Sequence, residues 1–138
     1  DVAPSRGLGD VYKRQVYDYK NQKIYRQTLN RSFQQDKILD NFVAKQTTPV
    51  NNLYIEVLSP ARLEELKSEK IAATFICDSY GKVKSVEFLF FKEPFLSVDE
   101  IERLEEAFLN YTFDLKVYGD KQDSNLYKFA IACFFSKL

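Results

Sequence analysis

Four carboxylates crowd one short stretch of this chain, Glu100, Glu102, Glu105 and Glu106. Paired carboxylates are what acid–base hydrolysis of a glycosidic bond requires, but the pair must face a cleft at a fixed separation. Helical spacing instead turns these four mostly toward solvent, with Arg103 among them, so a solvated helix face is expected. Asp78, Asp120 and Asp123 could supply oxygen ligands to calcium, yet none follows the EF-hand spacing, and turn chemistry accounts for them. Cys77 and Cys133 cannot make a zinc site alone and are far from C-x-x-C spacing. Two buried, reduced thiols are expected; a disulfide would need an oxidising compartment and Cα atoms within about 7 Å. The chain has 0 His in 138 residues. That removes the commonest general base, nucleophile activator and transition-metal ligand. We expect no catalytic, cofactor-binding or metal-binding residue, and no enzyme.

Other motifs reduce to ordinary structure. The Phe-rich run 86–91 would suit base stacking only within a basic surround, which it lacks, so core packing is expected. Ser136-Lys137-Leu138 spells a peroxisomal address, a match that three residues reach by chance. Charge is balanced, with 20 basic and 20 acidic side chains, so no nucleic-acid partner is expected. No apolar run approaches the roughly 20 residues of a membrane span. Twelve Phe and nine Tyr in a chain of this length supply one core of one domain.

The elements that must carry these residues follow from periodicity. Val16 to Tyr25 reads as a hairpin around Asn21-Gln22 or as an extended lead-in. Ser32 to Gln35 is a capping-box pattern, and Ile38, Leu39, Phe42 and Val43 form one stripe, so an amphipathic helix is predicted over about 32–46. Residues 53–58 are rich in β-formers and predict a strand. Ser59-Pro60 opens a short helix. Residues 71–77 and 82–91 predict strands joined by the turn Asp78-Ser79-Tyr80-Gly81. Ser97 to Glu100 is a second capping box, followed by Ile101, Leu104, Phe108 and Tyr111 at helical spacing. A short strand over 115–118 and a last strand over 126–135 complete the set.

The faces of these elements agree. Ile71, Ala73, Phe75 and Cys77, then Val86, Phe88 and Phe90, then Tyr127, Phe129, Ile131, Cys133 and Phe135 can each turn one way. Phe75, Phe88 and Phe129 should therefore meet Leu104 and Phe108. The reverse face, with Ala72, Thr74, Ile76, Leu89, Ala130 and Ala132, is mixed and is either open or covered by the 32–46 helix. The predicted class is α+β: an antiparallel sheet with a ββαβ core, plus an N-terminal helix and strand.

Residues 1–15 resemble the translation of a transposase sequencing-library adaptor. Asp10-Val11-Tyr12-Lys13-Arg14-Gln15 reads back as GATGTGTATAAGAGACAG, and Ser5-Arg6-Gly7-Leu8-Gly9 matches the DNA that precedes it. A stretch of this kind carries no information about the fold. It holds three basic and two acidic residues, which leaves 17 and 18 in residues 16–138. The expected division is a non-native tail over 1–15, an extension over 16–50 and the α+β domain over 51–138. Any membrane anchor would precede residue 16.

Residues 59–137 resemble the C-terminal domain of the energy transducer TonB. The likeness rests on Ser59-Pro60-Ala61-Arg62-Leu63 in the place of Tyr-Pro-x-x-Ala. It continues with Phe75 to Val83 as a strand ending in Asp-x-x-Gly-x-Val, and with Tyr111-Thr112-Phe113-Asp114-Leu115 in the place of Trp-x-Phe-x-Pro. The chain departs from that pattern at Ser59, Leu63, Tyr111 and Leu115. The resemblance implies a periplasmic or cell-envelope setting, an outer-membrane or envelope protein as partner, and docking by addition of a peptide to the last strand. It places Tyr127, Phe129 and Ile131 near that peptide. The alternative is a structural or accessory domain of a larger envelope protein, with no docking edge.

Overall fold

The structure is a computed structural model that describes residues 15–19, 22–27, 38–39, 41–119 and 125–138, with backbone alone before residue 41. Its centre is a hairpin of β5 (Lys70–Cys77) and β6 (Val83–Phe90). Asp78 closes the turn: its carboxylate accepts the N–H groups of Tyr80 and Lys82 at 2.9 and 3.0 Å, and its carbonyl accepts that of Gly81 at 3.0 Å. Gly81 takes φ +86, a conformation open to glycine and strained for other residues. Antiparallel to β5 on its other side runs β8 (Leu126–Phe134).

Three further strands widen this sheet. β1 (Gln15–Tyr19) and β2 (Gln22–Gln27) form a hairpin, and β2 pairs antiparallel with β6. β3 (Ile38–Leu39) pairs parallel with the start of β8. The order is β1-β2-β6-β5-β8-β3. A separate ribbon joins β4 (Phe42–Lys45) to β7 (Asp114–Val117). Residues 16–50 thus add strands to the same sheet as residues 51–138.

Helices cover one face. α1 (Asn52–Val57) and α2 (Pro60–Glu65) precede the central hairpin, and α3 (Val98–Leu109) follows it. Ser59 caps α2 by accepting the Arg62 N–H at 3.1 Å, with Pro60 at the first helical position. Ser97 and Glu100 form the full capping box of α3. The inward strand residues pack as their alternation predicts. The Phe108 ring lies 5.4 Å from Phe75 and 5.7 Å from Phe88, and Phe75 lies 5.8 Å from Phe129. The α+β class with a largely antiparallel sheet is therefore as read from the sequence.

Two element predictions are corrected. In place of the helix over 32–46, residues 38–39 and 42–45 are extended; residues 32–37, with their capping-box pattern, lie outside the described residues. Phe42 and Val43 are weak helix formers that fit a pleated surface, and β7 offers them a cross-strand partner. Asn41 fixes the register, since its carbonyl accepts the Tyr118 N–H at 2.8 Å and its side-chain amide donates to the Tyr118 carbonyl. The helix expected to cover the reverse face is thus not formed over 38–39 and 42–45. Ala130 and Ala132 are exposed there, and Thr74, Ile76 and Leu89 half-buried.

The strand predicted over 53–58 is the helix α1. Val50, Tyr54 and Leu58 are all buried, and a repeat of four residues is a helical repeat. Tyr54 stacks at 5.4 Å on both Phe108 and Phe135, and that packing outweighs the β-propensity of Tyr54, Ile55 and Val57.

Candidate docking site

The last strand presents the surface on which a partner could act. Strand alternation decides which of its backbone groups are used. The Phe135 N–H donates to the Glu69 carbonyl at 3.0 Å, so odd-numbered residues of this segment bond toward β5. On the other side the Ala132 carbonyl accepts the Asn51 side-chain amide at 3.1 Å, so even-numbered residues point outward. β3 covers Leu126 and Tyr127. Because Tyr127 bonds toward β5, the pairing with Leu39 runs through the Leu126 carbonyl and the Lys128 N–H; beyond these, as far as Phe134, no strand of the described residues lies along the outer side. That leaves the Lys128 carbonyl and the N–H and C=O groups of Ala130 and Phe134 aimed outward from a stretch with no Pro and one charge, the condition that invites strand addition.

The residues the resemblance placed near a docked peptide lie inward of this edge. Tyr127 is fully buried, with its ring 5.3 Å from Phe42, and its hydroxyl meets no hydrogen-bond partner among the described residues. Phe129 is half-buried among Phe42, Phe75 and Phe113, with ring separations of 5.8, 5.8 and 4.8 Å. Ile131 is half-buried on the same inner side. Of the three, Phe129 and Ile131 border the uncovered stretch, and Tyr127 lies beneath β4. Asn51 was not singled out by the sequence. An Asn before a helix ordinarily caps it, but this side chain makes no cap bond and reaches Ala132 instead.

The candidate chemical groups are dispersed. Cys77 pairs across the sheet with Tyr127, and Cys133 with Ile71. Six strand positions, roughly 20 Å, therefore separate the two thiols, far beyond disulfide reach. Both are free and buried, and burial pushes each thiol up to about 12, which makes it a poor nucleophile. Among the described residues no group of three or more Cys, Asp or Glu side chains could hold a metal ion. Asp120 and Asp123 lie outside the described residues. No helix among the described residues is long and apolar enough to cross a membrane.

The carboxylates of α3 do not converge on a cleft. Glu106 is exposed, but Glu105, expected on the solvent side, is buried at 3% exposure. It follows Leu104 on the flank of the buried stripe, and α3 lies against β2 as well as β6, so that flank is covered. Glu100 has a structural partner that the sequence did not disclose. Arg62 of α2 donates to both its oxygens, at 2.8 and 3.1 Å, and to the Phe95 carbonyl at 2.7 Å.

Burial works against the charged form of Glu100. The hydrogen bonds from Arg62 and Ser97 overcome it and hold the carboxyl below its usual range. A depressed folded-state pKa means a contribution that is full above the unfolded carboxyl value, about 4.3, and lost as pH falls through the folded value. Glu100→Gln is expected to cost about 1 kcal/mol at pH 7, read by denaturant unfolding. The gap from the native chain should narrow at about pH 3.

No protein-family model matches the chain, and no curated protein matches it in sequence. Among solved structures it is similar to a DUF5043 family protein from Bacteroides uniformis ATCC 8492. That similarity has a TM-score of 0.50 and 11% sequence identity, over 89% of this chain and 85% of that one. At such an identity it bears on the α+β fold alone.

Proposed function

We propose that this chain is a non-catalytic protein-binding module of the cell envelope that takes an extended segment of a partner protein along β8. One observation carries the docking reading: past the Lys128 N–H, the outward backbone groups of β8 have no strand beside them among the described residues. The envelope setting and an outer-membrane or envelope partner rest on the resemblance of residues 59–137 to the TonB C-terminal domain. The chain order β5, β6, α3, β8 supports that ββαβ reading, with β7 intervening.

Amide hydrogen exchange and a peptide selection test the docking edge together. The amides of Ala130 and Phe134 should exchange much faster than those of Phe129, Ile131 and Cys133, because only the latter bond to β5. A displayed library of random extended peptides should then enrich binders that are lost on Ala130→Pro. That change removes an outward N–H and leaves the β5 ladder intact. Equal protection of even and odd amides, with no enriched peptide, would overturn the proposal.

A second reading also has an observation in its favour. β3 occupies the first two residues of β8, and Asn51 already satisfies the Ala132 carbonyl. On this reading the chain is a structural or accessory domain whose edge is closed by its own side chains. Slow exchange at Ala130 and Phe134 is its expected signature.

A further inference from the structure

We infer that the segment docked on β8 is acidic, with a carboxylate near each end and small or apolar residues between. This rests on the docking reading above. Residues 126–138 contain two lysines, Lys128 and Lys137, and no acidic side chain. Lys128 opens the uncovered stretch and is exposed. Lys137 closes it, with its Nζ 5.9 Å from the centre of the Phe134 ring. Six strand positions, roughly 20 Å, lie between Lys128 and Phe134. Neither ammonium is ion-paired among the described residues, whereas Arg62, Lys67, Lys84 and Arg103 each face a carboxylate.

Among the described residues, nearby acids do not cancel this charge. By strand alternation Glu87 shares the outer face, but it stands on β6 with β5 between, roughly 10 Å from β8. Lys70 is paired opposite Phe134, yet it lines a shallow hollow with Glu69 and Glu93, so it adds little net charge. Between the two lysines the outward-facing side chains are Ala130 and Ala132, both exposed, which allow close approach of another backbone.

The same charges argue against a second copy of this chain as the occupant. Antiparallel pairing about Ile131 would set Ala130 of one copy against Ala132 of the other, which fits sterically. It would also set Lys128 of each copy beside Phe134 and Lys137 of the other. That makes two encounters of like charge, which destabilise cross-strand pairing. A segment with acidic ends turns both encounters into attraction and steers association.

The test uses the full chain and three fluorescent peptides with one extended core of alternating serine and valine. They differ in their two end residues, which are aspartate, asparagine or lysine. Fluorescence anisotropy at low salt should show the aspartate-ended peptide binding about tenfold more tightly than the asparagine-ended one, with the lysine-ended peptide weakest. The preference should fade in about 1 M salt and reverse in a Lys128→Glu, Lys137→Glu double variant. Both positions are exposed, so the variant should melt with the native chain; if it does not fold, the salt dependence of the native chain still decides.

Equal binding of the aspartate- and asparagine-ended peptides would overturn the acidic inference and leave docking standing. No binding by any of the three, with the even-numbered amides of β8 protected, would overturn the docking reading itself. A dimer in sedimentation that Lys128→Glu strengthens would make a second copy the occupant and overturn the inference.

Discussion

Replacing Gly81 with alanine should lower stability by about 4 kcal/mol and the midpoint of thermal unfolding by more than about 10 °C. Two costs combine. At φ +86 any side chain is strained, and a Cβ built there would stand 2.0 Å from the Phe113 carbonyl oxygen. That oxygen cannot move away cheaply, because the Phe113 N–H donates to the Gly81 carbonyl at 2.8 Å. The turn and the segment after α3 are thereby locked backbone to backbone. Gly119 provides the control. It has φ +94, but its nearest atom to an added Cβ is the Asn41 side-chain amide at 3.6 Å. Gly119→Ala should cost only about 1 kcal/mol. Equal melting of the two variants would mean that the Gly81–Phe113 approach is not as tight as described.

Phe108→Ala is expected to cost about 4 kcal/mol, the usual range for emptying a fully buried aromatic site. Phe108 is the point at which three elements meet: Tyr54 of α1, Phe75 of β5 and Phe88 of β6 lie at 5.4, 5.4 and 5.7 Å. Removing the ring leaves all three without their common contact, and neighbouring aromatic groups collapse poorly into such a space. Phe108→Leu should recover more than half of the loss. Phe134→Ala, at a ring 48% exposed, should change stability by less than about 0.5 kcal/mol. Denaturant melts of the three variants give the ranking; a Phe108→Ala chain as stable as Phe134→Ala would remove α3 from the centre of the core.

The parts of this fold that the sequence disclosed are those decided within a few residues. The Ser97 capping box, the Ser59-Pro60 helix start and the Asp78–Gly81 turn each depend on side chains that bond to backbone nearby. Strand alternation over 70–77 and 83–90 fixed the buried face, and with it Phe75 and Phe88. Residues 38–45 and 52–57 were misread because short apolar runs fit periods of two and of nearly four alike. Their outcome is set by distant partners: β7, whose paired residues lie 69 to 75 positions along the chain from those of β4, and Phe135, 81 positions from Tyr54. At the docking edge the identity of the last strand was legible. The capping of Ala132 by Asn51 was not, nor was the burial of Tyr127 beneath Phe42, since both join residues that no local pattern links.

The position of β8 between β5 and β3 sets when the outer edge of this sheet can first form. β5 and β6 are joined by a tight turn and can pair as soon as both leave the ribosome. β8 is made well after both and must cross from residue 126 back to a strand that ended at residue 77. Contacts of such long sequence separation form late, because loop closure must precede them. A nascent or truncated chain therefore has no finished edge to offer. The edge exists only once residues 126–134 have been made and paired with β5, so on the proposed docking reading a chain that stops short of them has nothing to offer a partner.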